Sequence, residues 1–144
     1  MFLTGWRAQL LSVLRVIAGL CFMEHGAMKL LHFPTAMMPG QLPPLLMAAG
    51  AIELVGGALI VLGLFTKLAA FIASGEMAVA YFGFHATTAL GMAMPGMKHG
   101  WDPVVNGGGE SALYAVIFLY LAAAGGGAWA LDNIFNRKRG LDAA

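Results

Sequence analysis

The chain has 144 residues, 60% of them hydrophobic and 10% charged, with a net charge of +1 and a mean hydropathy of +0.79. Soluble domains carry about 25% charged residues, so this composition excludes an ordinary soluble domain and points to an integral membrane protein. The near-zero charge lacks the concentrated basic face that nucleic acid requires, and the single cysteine, Cys21, excludes an intramolecular disulfide, a Cys-x-x-Cys couple and a cysteine zinc site.

The first apolar stretch, about 9–32, is long enough to cross a hydrocarbon core of about 30 Å and holds Arg15, Glu24, His25, Lys29 and His32. Arg7 ahead of it gives the look of a signal peptide, but Arg15 and Glu24 interrupt the apolar run, and the segment is expected to be retained. An ionisable side chain at bilayer depth costs at least about 2.5–3.5 kcal/mol unless it is paired or faces water. These groups are therefore expected to look inward, toward partners on other helices. At about 100° per residue His25, Lys29, His32 and Arg15 share one arc, with Glu24 about 100° from His25.

Phe33-Pro34 ends that helix, and the prolines at 34, 39, 43 and 44 make the following segment an ordered loop at the interface. A second span, about 45–65, is broken by one acid, Glu53, and then by Gly56-Gly57, small residues that allow a close helix crossing. The third span, about 67–86, carries Glu76 near its middle and His85 at its end. Arg15 and Glu76 are expected to lie deepest and to form an ion pair.

The irregular region 86–109 is long for a small helical protein, which marks it as functional. Met92, Met94, Met97 and His99 within it are soft ligands suited to Cu(I), although methionine-rich loops more commonly serve as flexible apolar filler. No resident metal is expected. A b-type haem would need His25 and His85 as its pair across helices, and is not favoured. The fourth span, about 110–131, opens on Glu110 and closes past the run Gly125 to Gly127.

The expected fold is therefore all-α, a single domain over 1–144: an antiparallel membrane four-helix bundle with two longer outward-facing loops. Arg7, Lys67, Arg137, Lys138 and Arg139 fall on one side of such a bundle and Lys29 and Lys98 on the other. The positive-inside rule then puts both termini in the cytoplasm, in a bacterial inner (plasma) membrane.

Glu24, Glu53 and Glu110, near the cations His25 and Lys29, make the leading constellation. Of Glu24 and Glu53, expected at matching depth, Glu53 is expected to hold the cation. A quinone headgroup needs hydrogen bonds to two oxygens and groups that give or take protons as electrons move. Intramembrane salt bridges that only hold helices together would leave a similar pattern.

The ordered series Arg15, Gly19, Phe22, Gly26-x-x-Lys29-Leu30, Glu53-Leu-Val-Gly-Gly, Leu62-Gly-Leu-Phe-Thr66-Lys67, His85, Asn106-Gly-Gly-Gly-Glu110-x-x-Leu-Tyr114 and Leu131-Asp132 resembles the DoxX family of small four-helix membrane proteins. Two departures, Gly125-Gly126-Gly127 for Gly-Pro-Gly and Ala130 for a serine, lie at the cytoplasmic end. The resemblance implies a link to membrane redox chemistry: a quinol oxidase subunit, thiosulfate or thiol oxidation with quinone as acceptor, or oxidative-stress complexes with a partner redox protein. It also implies that Arg15, Lys29, Glu53, His85 and Glu110 occupy the family's polar positions, whereas Glu24 and the methionine loop are particular to this chain. The combined expectation is a membrane subunit of a quinone-linked oxidoreductase, with Glu53, Glu110 and Arg15 catalytic and His25, Lys29, Glu24 and His85 binding quinone. A small-molecule or ion permease and a non-catalytic scaffold for a partner protein are the alternatives.

Overall fold

The structure, a computed structural model, describes residues 2–88, 90 and 98–139, and all regular structure among them is helical. A 3-10 turn, Thr4–Trp6, leads into α1, Arg7–Leu30. Helix α2 covers Pro44–Leu62 and α3 covers Thr66–Ala86. A shorter apolar helix, α4, covers Gly109–Ala124, and α5 covers Leu131–Arg139. Three of these helices, Thr4–Leu30, α2 and α3, are long and apolar enough to cross a membrane.

The fourth span ends earlier than the sequence pattern suggests. Gly125 has φ +85°, Gly127 has φ +77°, and the chain turns through 125–130 before α5 begins at Leu131. At about 1.5 Å per residue α4 is about 24 Å long, short of a 30 Å core. Helix α1 stops at Leu30, with the Leu31 amide bonded back to the Ala27 carbonyl and His32 at φ +56°. Pro44 stands at the first position of α2, where its missing N–H costs nothing.

The α2–α3 connection is tight because Gly63 adopts φ +69°. Its amide bonds to the Ile60 carbonyl at 3.0 Å and that of Leu64 to the Leu59 carbonyl at 3.0 Å, a glycine-terminated helix end that satisfies two orphan carbonyls. Helix α3 lacks a cap of its own; instead the Asp132 carboxylate of α5 accepts from the amides of Phe65 at 2.7 Å and Thr66 at 2.8 Å. A negative charge at a helix N-terminus is favourable, so α5 holds the start of α3.

The buried core joins Ala18 and Phe22 of α1, Ile60 of α2, Ala69, Ala70, Ala73 and Met77 of α3, and Phe118 and Leu121 of α4. Phe118 stacks on Tyr114 and meets Phe22 edge-on. The alanines on α3 let α4 lie close along it.

Helices α1 and α2 are closer still. A methyl added at Gly26 would come within 2.4 Å of the Leu54 backbone nitrogen, and one added at Gly57 within 2.8 Å of the Met23 backbone nitrogen. Of the expected Gly56-Gly57 seam, Gly57 does lie at the crossing, against Met23, and Gly26 adds a second close approach, against Gly50 and Leu54; Gly56 faces only the rim of the Phe22 ring, at 3.8 Å. Gly26→Ala is expected to force the two backbones apart and to cost about 1–3 kcal/mol or more, as overpacking does in close-packed interiors. Thermal unfolding of the detergent-solubilised variant checks this, and a melting temperature equal to the parent's would mean the crossing is looser than described.

Candidate intramembrane site

The site begins at that crossing. On α1, Lys29 follows Gly26 by three residues; on α2, Glu53 follows Gly50 by three. The missing side chain of Gly50 leaves room for the Lys29 stem, since a methyl there would lie 2.9 Å from the Lys29 Cβ. Lys29 Nζ accordingly reaches Glu53 Oε1 in a direct ion pair, with side-chain exposures of 6% and 2%. Removing both charges from water is costly, and contact between them offsets most of that cost.

Glu53 sits in a π-helical turn, Ile52–Gly56, inside α2, and the last turn of α3, Tyr81–Ala86, is π-helical as well and carries His85. Such wide turns cluster at functional sites because they re-aim side chains and loosen the carbonyl ladder. Both elements face one cavity of about 620 Å³. Its walls are mostly apolar, with Phe22, Leu46, Ile72 and Phe84 among them. Its polar groups are Lys29, Glu53, Glu76, His25, His85, Glu110, Ser111 and Tyr114. Small-molecule sites are apolar clefts of about 300–1,000 Å³ with a few convergent polar groups, and this cavity fits that description.

At one side His25 and Glu110 face each other, Nε2 to Oε2 at 3.5 Å, with side chains 40% and 58% exposed. His25 Nδ1 lies 2.9 Å from the Cys21 carbonyl, which can only accept, so Nδ1 donates there and Nε2 is the nitrogen that faces Glu110. Tyr114 lines the cavity on the same side as Glu110. His85 donates from Nδ1 to the Asn106 carbonyl at 3.2 Å, and Asn106, itself buried, is held by the Gly100 carbonyl at 2.6 Å and the Gly108 amide at 2.7 Å. The loop preceding α4 therefore orients His85 by a short chain of hydrogen bonds.

Glu53, His25, Lys29, His85 and Glu110 thus come together. Glu24 does not: it is exposed and is absent from the cavity lining, because it lies a third of a turn from His25 on α1. The Arg15–Glu76 pair is also overturned. Arg15, 1% exposed, donates from Nε to the Gly126 carbonyl at 2.8 Å, from one terminal nitrogen to the carbonyls of Ile60 and Val61, and from the other to the Trp129 carbonyl at 3.4 Å. The last turn of α2 has orphan carbonyls to satisfy, the 125–130 turn adds more, and a five-donor guanidinium fits them better than one carboxylate would. Ser12 completes this knot, donating to the Ala8 carbonyl and accepting from the Trp129 amide at 3.0 Å. Arg15 is therefore a structural clasp at the end bearing the start of α1, away from the cavity lining.

Glu76 turns instead into the cavity, within electrostatic range of Glu53 and Lys29. Sequence reasoning missed Glu76 and Tyr114 as site residues. The i, i+4 spacing of Glu110 and Tyr114 on one helix face was the signal for the second. Of the possible copper ligands, Met92, Met94 and Met97 lie outside the described residues and His99 is exposed. Among the described residues no cluster of three or more His, Cys, Asp or Glu could hold a metal ion.

A chain whose described residues are all helical where regular, with three membrane-capable helices, is an integral membrane protein. The DoxX family model matches residues 10–86, which takes in α1, α2 and α3 and carries Arg15, Lys29, Glu53, Glu76 and His85. The chain belongs to the DoxX family. It is similar to a Haemophilus influenzae protein named "Uncharacterized protein", 42% identical over 139 residues that span 94% of this chain and 98% of the relative. No solved structure matches it.

Proposed function

We propose that the chain is the membrane subunit of a quinone-linked oxidoreductase and that the cavity beside Lys29 and Glu53 receives the quinone headgroup. The observation that carries this reading is the coincidence of a buried ion pair, two histidines held in defined tautomers and an apolar cavity of about 620 Å³. A purely structural salt bridge needs no such cavity beside it. A bound quinone supplies the two-electron chemistry. Within the chain, Lys29 and Glu53 orient the headgroup, His25 and Glu110 exchange protons with the surroundings at Nε2 and Oε2, and Phe22, Phe71, Ile72 and Phe84 exclude water. Electrons come from a small reductant such as thiosulfate or a thiol, or from a partner redox protein.

The same reading includes an antiparallel four-helix membrane bundle, with α4 as a fourth, short crossing. The start of α1 meets the 125–130 turn through the Ala128 amide and the Ala8 carbonyl, at 3.0 Å, so α1 and α4 run in opposite directions. With Arg7, Lys67 and the basic residues of α5 toward that end, the positive-inside rule makes it cytoplasmic, in a bacterial inner membrane. The cavity then lies in the outer half.

Lipid extracted from the purified protein is expected to contain quinone in about equimolar amount, and Glu53→Gln, whose amide oxygen still accepts from Lys29 without balancing its charge, is expected to lower the amount per folded molecule. Protein free of quinone that also fails to bind an added short-chain benzoquinone or benzoquinol would refute the proposal.

A further inference from the structure

The cavity-lining residues that also reach the surface fall into two groups. On α1 and α4 they are polar, His25 and Glu110. On α2 and α3 they are apolar: Leu45 and Ala48 on the first, and Phe71, Ile72, Gly75 and Val79 on the second. The α3 positions recur every three or four residues and so form one stripe along the helix. A stripe that lines a cavity and is exposed as well marks the edge of an opening. Because α2 and α3 are both membrane-capable helices, this opening faces hydrocarbon.

The gap has a cause in the chain. The turn at Gly63 ties α2 to α3 at one end, and α2 packs on α3 through Ile52–Gly56 and Gly57–Leu62, whereas the part farthest from the turn, Pro44–Ala51, packs on α1. Gly75 keeps the gap clear. A methyl added there would meet none of the described residues within 4 Å, in contrast to Gly26 and Gly57, which the α1–α2 crossing requires. Glycine inside a helix lowers its propensity, and at Gly75 no close helix approach accounts for it. The gap leads inward to polar groups, for Glu76 is next in the chain to Gly75 and Glu53 lines the same cavity.

We propose that the gap between α2 and α3 is a lateral portal from the bilayer, which admits a lipid-soluble amphiphile and holds its linear hydrocarbon tail over Gly75 while the headgroup lies at Lys29 and Glu53. Gly75 is then a specificity-determining residue for the tail. This rests on the quinone reading and goes beyond it, since that reading places the headgroup alone.

The test uses a benzoquinone whose linear alkyl tail carries a diazirine near its end, photolysed with the full chain in lipid nanodiscs. Mass mapping is expected to find adducts at 45–52 and 71–79 that an excess of the unlabelled tailed benzoquinone removes. Adducts spread equally over lipid-facing Val55, Leu113 and Val116, or not removed by that excess, overturn the portal on the unmodified protein. Gly75→Phe fills the gap without meeting the described residues at its Cβ. It is expected to weaken the tailed benzoquinone at least about tenfold, the scale on which overpacking is felt, and to leave a tailless benzoquinone at its parental affinity. Comparing variant with parent in the same nanodiscs cancels the ligand's partition into lipid. Unchanged binding of the tailed form, or equal weakening of both forms, overturns the portal and leaves the headgroup site standing. Failure of the parent to bind either form overturns both.

Discussion

Replacing Lys29 by methionine is expected to lower stability by about 3–5 kcal/mol, because it strands the Glu53 carboxylate beside a cavity whose described lining residues include no second lysine or arginine. Both side chains are almost fully enclosed, so neither can recover its lost partner from water. Glu53→Leu is expected to cost a similar amount by stranding the ammonium. The double substitution Lys29→Met with Glu53→Leu is expected to regain most of the loss, since an apolar pair of similar volume suits that environment. Thermal unfolding of the three purified variants in one detergent measures the cycle. Single variants as stable as the parent would mean that water reaches the pair and that the crossing is more open than it is described above.

Arg15→Leu should be as damaging, for a different reason. It leaves the Val61 carbonyl without its side-chain donor and strips one donor each from Ile60, which keeps the Gly63 amide, and Gly126, which keeps only a long contact to Ser12, at about 1–3 kcal/mol for each group that finds no substitute. Arg15→Lys is expected to recover only part of this, because a compact ammonium cannot span acceptors on two separate segments as the planar fork does. The discriminating measurement is ligand binding by folded Arg15→Lys protein. If Arg15 is a clasp, the affinity for quinol and quinone stays at the parental value while the melting temperature falls. A catalytic or headgroup-binding Arg15 would show the reverse pattern, a normal melt with weakened binding.

The two outcomes bear on how far this chain could be read from its residues. The spans were legible because apolar runs of about 20 residues broken by proline and glycine leave few alternatives. That Glu53 rather than Glu24 holds a cation was legible, since Glu53 is the one ionisable group of α2 and small residues follow it; that the cation is Lys29 and that Gly26 and Gly50 make the room for it came only from the structure. Arg15 and Glu76 were misassigned together, because depth along a helix was used where direction around it decides. A buried arginine was matched to a carboxylate, yet main-chain carbonyls at a helix end are acceptors too, and they are invisible in a list of side chains. The α4 boundary was missed for a related reason. Alanine and glycine between 122 and 130 are apolar by composition, but the two left-handed glycines, 125 and 127, end the helix.

Glu24 teaches a smaller lesson. Its neighbour His25 faces the cavity and Glu24 does not, so adjacency in sequence separated rather than joined them.

The wide turns at Ile52–Gly56 and Tyr81–Ala86 have a meaning in terms of chain length. A π turn holds one residue more than the α turn it replaces, so each behaves as a single-residue insertion accommodated inside a helix. Excising one residue from such a turn would return the helix to uniform spacing and rotate everything beyond it by about 100° relative to what precedes it. In α2 the part beyond is Gly57–Leu62, which carries Gly57 of the crossing and the carbonyls that Arg15 holds. The number of residues between Glu53 and Gly63 is therefore fixed from both ends, by the ion pair on one side and the arginine clasp on the other. Substitutions within that interval can be absorbed one at a time, whereas a change of length there would misalign the cavity and the clasp together.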